Sequence, residues 1–180
     1  MALKNATADQ VLQLIDYPAY FELLHQNLPA EKAGILDRLQ AEKVIVKKAE
    51  DRYDITNLGG ILFAKRLSDL EGLARKAIRV IVYKGANRTE TLKEQVGAKG
   101  YAVGFAGMIA YINDQLPQNE VLGQALRKDI RMYPEIAVRE LVANAIIHQD
   151  FAPAGDGPTV EIFSDRIEIT HPGTPLIDTL

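Results

Sequence analysis

Between Tyr133 and Thr170 the spacing of apolar residues changes from a helical period to a strand period. Val138, Leu141, Val142, Ala145 and Ile146 gather on one side when successive residues are stepped by about 100°, so Y-P-E-I-A-V-R-E-L-V-A-N-A-I-I-H-Q predicts a helix. Pro134 suits its first turn, where a missing N–H costs nothing. Neither Gly nor Pro recurs before Pro153, so about four turns can run unbroken. Ala154 to Pro158 (A-G-D-G-P) cannot continue a helix. Val160–Phe163 and Arg166–Thr170 alternate with period two around Ser164-Asp165 and predict a hairpin, with Ile162, Ile167 and Ile169 facing a core. The second strand runs into His171-Pro-Gly-Thr-Pro175, a tight corner.

The earlier chain divides by the same signals. Thr7 caps a helix from Ala8 to Ile15, Pro18 starts another through His25, and Pro29 opens a third with the stripe Ile35, Leu36, Leu39. Val44–Val46 and Tyr53–Ile55 flank a charged turn and predict a hairpin, after which Asn57-Leu-Gly-Gly60 leads into a short helix. Three helices and a hairpin follow the order of a winged helix. Ala77–Tyr83 is a β-branched run and predicts a buried strand. Tyr101–Leu116 repeats Phe105, Met108, Ile109 and Ile112 at helical spacing, its Gly104 and Gly107 pointing to close packing against a neighbour. Val121–Ile130 is assigned as one strand.

On the long helix the residues away from the apolar stripe hold the candidate chemistry. Glu140, Asn144 and His148, four apart, form one slanting polar row. Ile136 and Ile147 lie close to it, so the row is expected to be partly enclosed by apolar side chains. A carboxylate, a carboxamide and an imidazole in such a setting suggest a site. On spacing alone the plainer reading is the stronger: solvated Glu140 and Asn144, with His148 near the helix end as a cap.

Composition narrows the function classes. The chain has 180 residues and a formal charge of −3, which argues against a strong non-specific nucleic-acid binder. The third helix and the hairpin turn are near neutral, Lys32, Arg38, Lys47, Lys48 and Arg52 being matched by Glu31, Asp37, Glu42, Glu50 and Asp51. The absence of cysteine excludes disulfides, thiolate catalysis and Cys-based zinc sites. His25, His148 and His171 make no local metal motif, His25 reading as a helix-end or core residue. Lys84–Arg88 is a basic turn, a candidate phosphate contact or simply solvated. With no 18-residue apolar run and no signal-like leader, no membrane partner is expected, and a cytoplasmic location is.

The helix E-L-V-x-N-A, a Gly-rich gap and a hairpin ending in an x-x-G corner resemble the start of the GHKL-type ATPase domain of gyrase, mismatch-repair proteins and histidine kinases. R-E-L-V-A-N-A-I-I-H-Q-D-F followed by V-E-I-F-S-D-R-I-E-I-T-H-P-G is closer still to the RecG-helicase-related proteins described as transcriptional regulators. In that family a Schlafen/AlbA-type DNA-binding domain precedes a GHKL-like region and a winged helix can follow. D-Y-P-A-Y-F (16–21), Y-D-I-T-N-L-G (53–59), R-V-I-V-Y-K-G (79–85) and K-G-Y-A-V-G-F (99–105) are similar to the middle of those proteins.

The resemblance implies roles for particular residues. Glu140 holds the position that orients or deprotonates the attacking water. Asn144 holds the position that gives an oxygen to the Mg²⁺ bridging the phosphates of ATP. A hard cation wanting oxygen ligands and a positioned base make chemical sense of that pair. His148, His171 and Gly173 complete the cofactor-binding set, the last two as the floor. The corner departs from D-x-G-x-G: His171 replaces the Asp that accepts the adenine amino hydrogen, and Pro175 replaces the second Gly, removing a backbone donor. The sequence also ends at Leu180, before a phosphate-binding lid. Hydrolysis by this chain alone is therefore not expected.

The expected architecture is α+β: a winged-helix-like unit at 1–67 followed by a GHKL-like α/β sandwich fragment at 68–180, its strands beginning near Ala77. The expected function is part of a RecG-related transcriptional regulator, DNA-associated, with a degenerate nucleotide site. The alternative is a non-enzymatic interaction or dimerisation scaffold, a homo-oligomer, in which that site is vestigial.

Overall fold

The computed structural model describes residues 1–122, 127–151 and 155–173. They form a mixed α+β chain whose contacts divide it into two compact units, the first comprising Met1–Ala77 with Ala98–Phe105 and Gly155, the second Ile78–Gly97 with the other described residues from Ala106 onward.

The first unit runs β1 (Leu3–Ala6), α1 (Ala8–Leu14), α2 (Tyr17–Leu23), α3 (Lys32–Ala41), β2 (Ile45–Ala49), β3 (Arg52–Ile55) and α4 (Asn57–Phe63). Thr7 caps α1 through a reciprocal capping box with Gln10. Thr56 caps α4 by accepting from the Gly59 N–H at 2.8 Å, while its hydroxyl reaches back to the Val44 carbonyl. The hairpin β2–β3 forms as predicted, and β1 adds to the far side of β3, giving the antiparallel order β1-β3-β2. The α3 stripe Ile35, Leu36, Leu39 is buried, as are Ile15, Tyr20, Phe21, Ile45 and Ile55. Tyr20 meets Phe21 and Phe63 edge-on. His25 is exposed with φ 53° just beyond α2, a helix-end residue and not a core one.

The second unit is built on a four-stranded sheet of β4 (Arg79–Tyr83), β5 (Thr91–Val96), β8 (Thr159–Ile162) and β9 (Ile167–Thr170), in the order β5-β4-β8-β9. The central pair β4–β8 is parallel, joining Arg79–Val82 to Thr159–Ile162, and the outer pairs are antiparallel. Val80, Val160 and Ile162, from the two inner strands, are essentially inaccessible. Helix α5 (Tyr101–Gln115) contributes Ile109 and Ile112 to the core of this unit, and Leu116 just beyond it is buried too. Helix α6 (Glu135–Ile147) buries Val138, Val142 and Ala145.

Several expectations need correction. Leu141 is 51% exposed, because the buried stripe of α6 is narrower than its apolar run. Ile167 and Ile169 are only half-buried, since β9 is an edge strand. A Cβ at Gly107 would meet nothing within 4 Å, so close packing does not account for that glycine. In place of one strand over 121–130, β6 (Gln118–Leu122) and β7 (Arg127–Arg131) pair antiparallel; 123–126 lie outside the described residues. Among the described residues no helix is long and apolar enough to cross a membrane.

Candidate functional site

Helix α6 begins after Pro134, whose carbonyl accepts from the Ala137 and Val138 N–H groups. It ends at His148, the C-cap residue, whose own N–H donates to the Asn144 carbonyl at 2.9 Å. The chain then crosses to the corner after β9, where the Asp150 N–H donates to the Pro172 carbonyl. A Cβ at Gly173 would come within 2.7 Å of the His148 carbonyl oxygen. Only glycine allows the corner to close on the helix end. The structure thus brings the end of the polar row, His148, to the bend His171–Gly173.

It does not enclose them. Glu140, Asn144 and His148 are all exposed, and so are His171 and Gly173. The expectation of a partly enclosed row is therefore not met: Ile136 and Ile147 flank the row as anticipated but are themselves 64% and 66% exposed. The stretch Thr174–Leu180, including Pro175, lies outside the described residues.

For Mg²⁺ and ATP the fit is partial. Asn144 and Glu140, one turn apart and open on the same side, offer the oxygen donors that a hydrated Mg²⁺ takes from protein. Asn144 would hold the ion, which would supply charge neutralisation to a phosphate group. The adenine end fits poorly, because the bend offers an imidazole at His171 and its glycine is already spent against His148. Among the described residues no three His, Asp or Glu side chains gather as a metal-ligand group.

The basic turn Lys84–Arg88 is not a free phosphate contact. Lys84 pairs with Glu90 at 3.0 Å, and Arg88 forks onto Glu161 at 2.7 and 2.8 Å while reaching Glu168 at 2.7 Å. The Tyr83 hydroxyl also donates to Glu161 at 3.0 Å. The Arg88 guanidinium holds the Glu161 carboxyl below the usual glutamate range, against the opposing effect of burial. Burial, with Glu161 alongside, pushes the Tyr83 phenol up. Sequence reasoning missed this cluster; the available signal was the pair Glu161 and Glu168, each set between apolar residues on one strand of the hairpin. In the first unit Lys32 pairs with Asp9, and Lys48 faces Asp54 at 3.7 Å.

The fold defines the chain as a mixed α+β protein. No protein-family model matches it, and no curated protein does. Among solved structures it is similar to the DIP2311 protein from Corynebacterium diphtheriae, with a TM-score of 0.61 and 20% identity over 96% of this chain. At that identity the likeness concerns the fold alone. The chain spans about a third (33%) of the length of that structure.

Proposed function

We propose that the chain is part of a RecG-related transcriptional regulator, DNA-associated, with a winged-helix-like first unit and a GHKL-like second unit carrying a degenerate nucleotide site. The observation that carries this reading is the meeting of the polar row on α6 with the bend after β9, closed by Gly173 against the His148 carbonyl. Glu140 and Asn144 suit the phosphate and Mg²⁺ end of a nucleotide; His171 does not suit adenine. Binding without hydrolysis follows from that mixture, since Glu140 is exposed and no enclosing wall holds an attacking water against it. Isothermal titration with Mg·ATP and Mg·GTP tests it. Weak heat that disappears in Asn144→Ala is expected; no heat at millimolar nucleotide from either removes the nucleotide claim.

A second reading is favoured by the exposure of Ile136, Leu141, Ile147 and Phe151 on and just beyond α6. A helix that leaves this much apolar surface in water suits a docking face. The chain would then be an interaction or dimerisation scaffold with a vestigial site, and Asn144→Ala would leave its oligomeric state and DNA retention unchanged.

A further inference from the structure

Strand β9 carries the bend, yet little apolar burial holds β9. It has four residues, pairs among the described residues with β8 alone, and its Ile167 and Ile169 are half-buried, whereas Val160 and Ile162 of β8 are 0% and 1% exposed. Short edge strands with so little core contact open readily. What this strand has in addition is polar fastening from an unrelated part of the chain. Arg88, on the β4–β5 loop, donates to Glu161 of β8 through Nε and Nη2, and the same Nη2 donates to Glu168 of β9 at 2.7 Å. Arg166, just before β9, bonds the same Glu168 at 2.6 Å and the Ala86 carbonyl of that loop at 2.9 Å. Its guanidinium lies 3.9 Å from the centre of the Phe163 ring, which stacks on Tyr83 at 4.9 Å. Two guanidinium groups thus close on one carboxylate over the Phe163 ring, Arg166 at 3.9 Å from its centre and Arg88 at 5.5 Å.

We propose that Arg88 and Arg166 form a guanidinium clasp on Glu168 that holds β9 in place and thereby positions the His171–Gly173 bend beside the end of α6. The bend is tethered at two points, one the Asp150–Pro172 hydrogen bond and the other this clasp acting through β9. Fork geometry is what lets one side chain span two strands, so lysine cannot replace Arg88. The clasp acts on the candidate site only through the strand. Its relevance to ligand binding rests on the nucleotide reading above, but the mechanical claim does not.

The test is amide exchange and chemical shift on the ¹⁵N-labelled 180-residue chain. In Arg88→Gln, exchange across Ile167–Thr170 rises by about tenfold or more, as expected when a local unit opens at lower cost. The Gly173 amide shifts with it, and the β4 amides Val80 and Val82 keep their protection. Glu168→Gln, which spares the Arg88–Glu161 fork, gives the same local pattern. Arg88→Lys fails to restore it, and Lys84→Gln, on the same loop but outside the clasp, changes nothing. Unchanged β9 exchange in Arg88→Gln and Glu168→Gln overturns the proposal, and so does an equal rise across β4 and β8. Adding Mg·ATP to the same samples separates the two ideas. If β9 is freed in Arg88→Gln while the wild type shows no nucleotide-dependent shift at Gly173, the clasp stands and the nucleotide reading falls.

Discussion

Asn113 lies on the buried side of α5 with Ile109 and Ile112, 3% exposed, and neither end of its carboxamide finds a hydrogen-bond partner among the described residues. Burying such a group unpaired costs about 1–3 kcal/mol, and removing it for an apolar group of similar shape is neutral or stabilising. Asn113→Leu is therefore expected to raise stability by about 1 kcal/mol in urea denaturation; a loss of that size would mean a buried water satisfies the amide. Glu161 is the opposite case, a buried carboxylate fully engaged. Its folded pKa lies below the ordinary 4.5 because of Arg88, with Tyr83 assisting and burial opposing. A depressed carboxylate contributes stability that is complete above its unfolded value and is lost as pH falls through its folded value. The melting temperature of the native chain should therefore drop as pH falls below about 4.5, and Glu161→Gln should lower it at neutral pH while flattening that acid limb. An acid limb of unchanged steepness in the variant would show that other carboxylates set it.

Elements were legible in proportion to how fully their apolar pattern is buried. On α3 the stripe Ile35, Leu36, Leu39 is read correctly because all three are buried. On α6 the same reasoning includes Leu141, which lies about 60° from the centre of the stripe and is 51% exposed. Periodicity fixes direction, not the width of the face that a neighbouring sheet can cover. Strand β5 left no signal: T-L-K-E-Q-V is exposed along its whole length, so no apolar alternation marks it. The polar row on α6 was legible from spacing, but its burial was not, because burial depends on what packs outside the helix. Gly107 of α5 is a local departure that nothing in the packing explains. It is exposed mid-helix with open space at its Cβ position, so Gly107→Ala should stabilise the chain by about 1 kcal/mol through backbone entropy. Chemical denaturation reads this directly, and destabilisation would mean that the glycine is needed for a contact made by something other than the described residues.

For the molecule as a whole, the decisive pairings join distant segments: β4 to β8 in parallel, and Arg88 to Glu161 and Glu168. No local pattern announces either, since each depends on which strands become neighbours. What the sequence does carry to this scale is charge and surface character, a formal −3 and an α6 with apolar residues open to water. Ile136 and Ile147, eleven residues and about three turns apart, share a side of α6 with Glu140 between them. Both are about two-thirds exposed, at 64% and 66%, so replacing them removes almost no core contact. The double change Ile136→Glu, Ile147→Glu should accordingly alter stability by no more than about 0.5 kcal/mol each. If the scaffold reading holds, it should also abolish concentration-dependent self-association measured by light scattering. A wild-type chain that stays monomeric up to high concentration would leave the apolar side of α6 without a homotypic role. A loss of association confined to the Glu variants, with Asn144→Ala associating normally, would place the partner contact on the isoleucines and separate it from the polar row they flank.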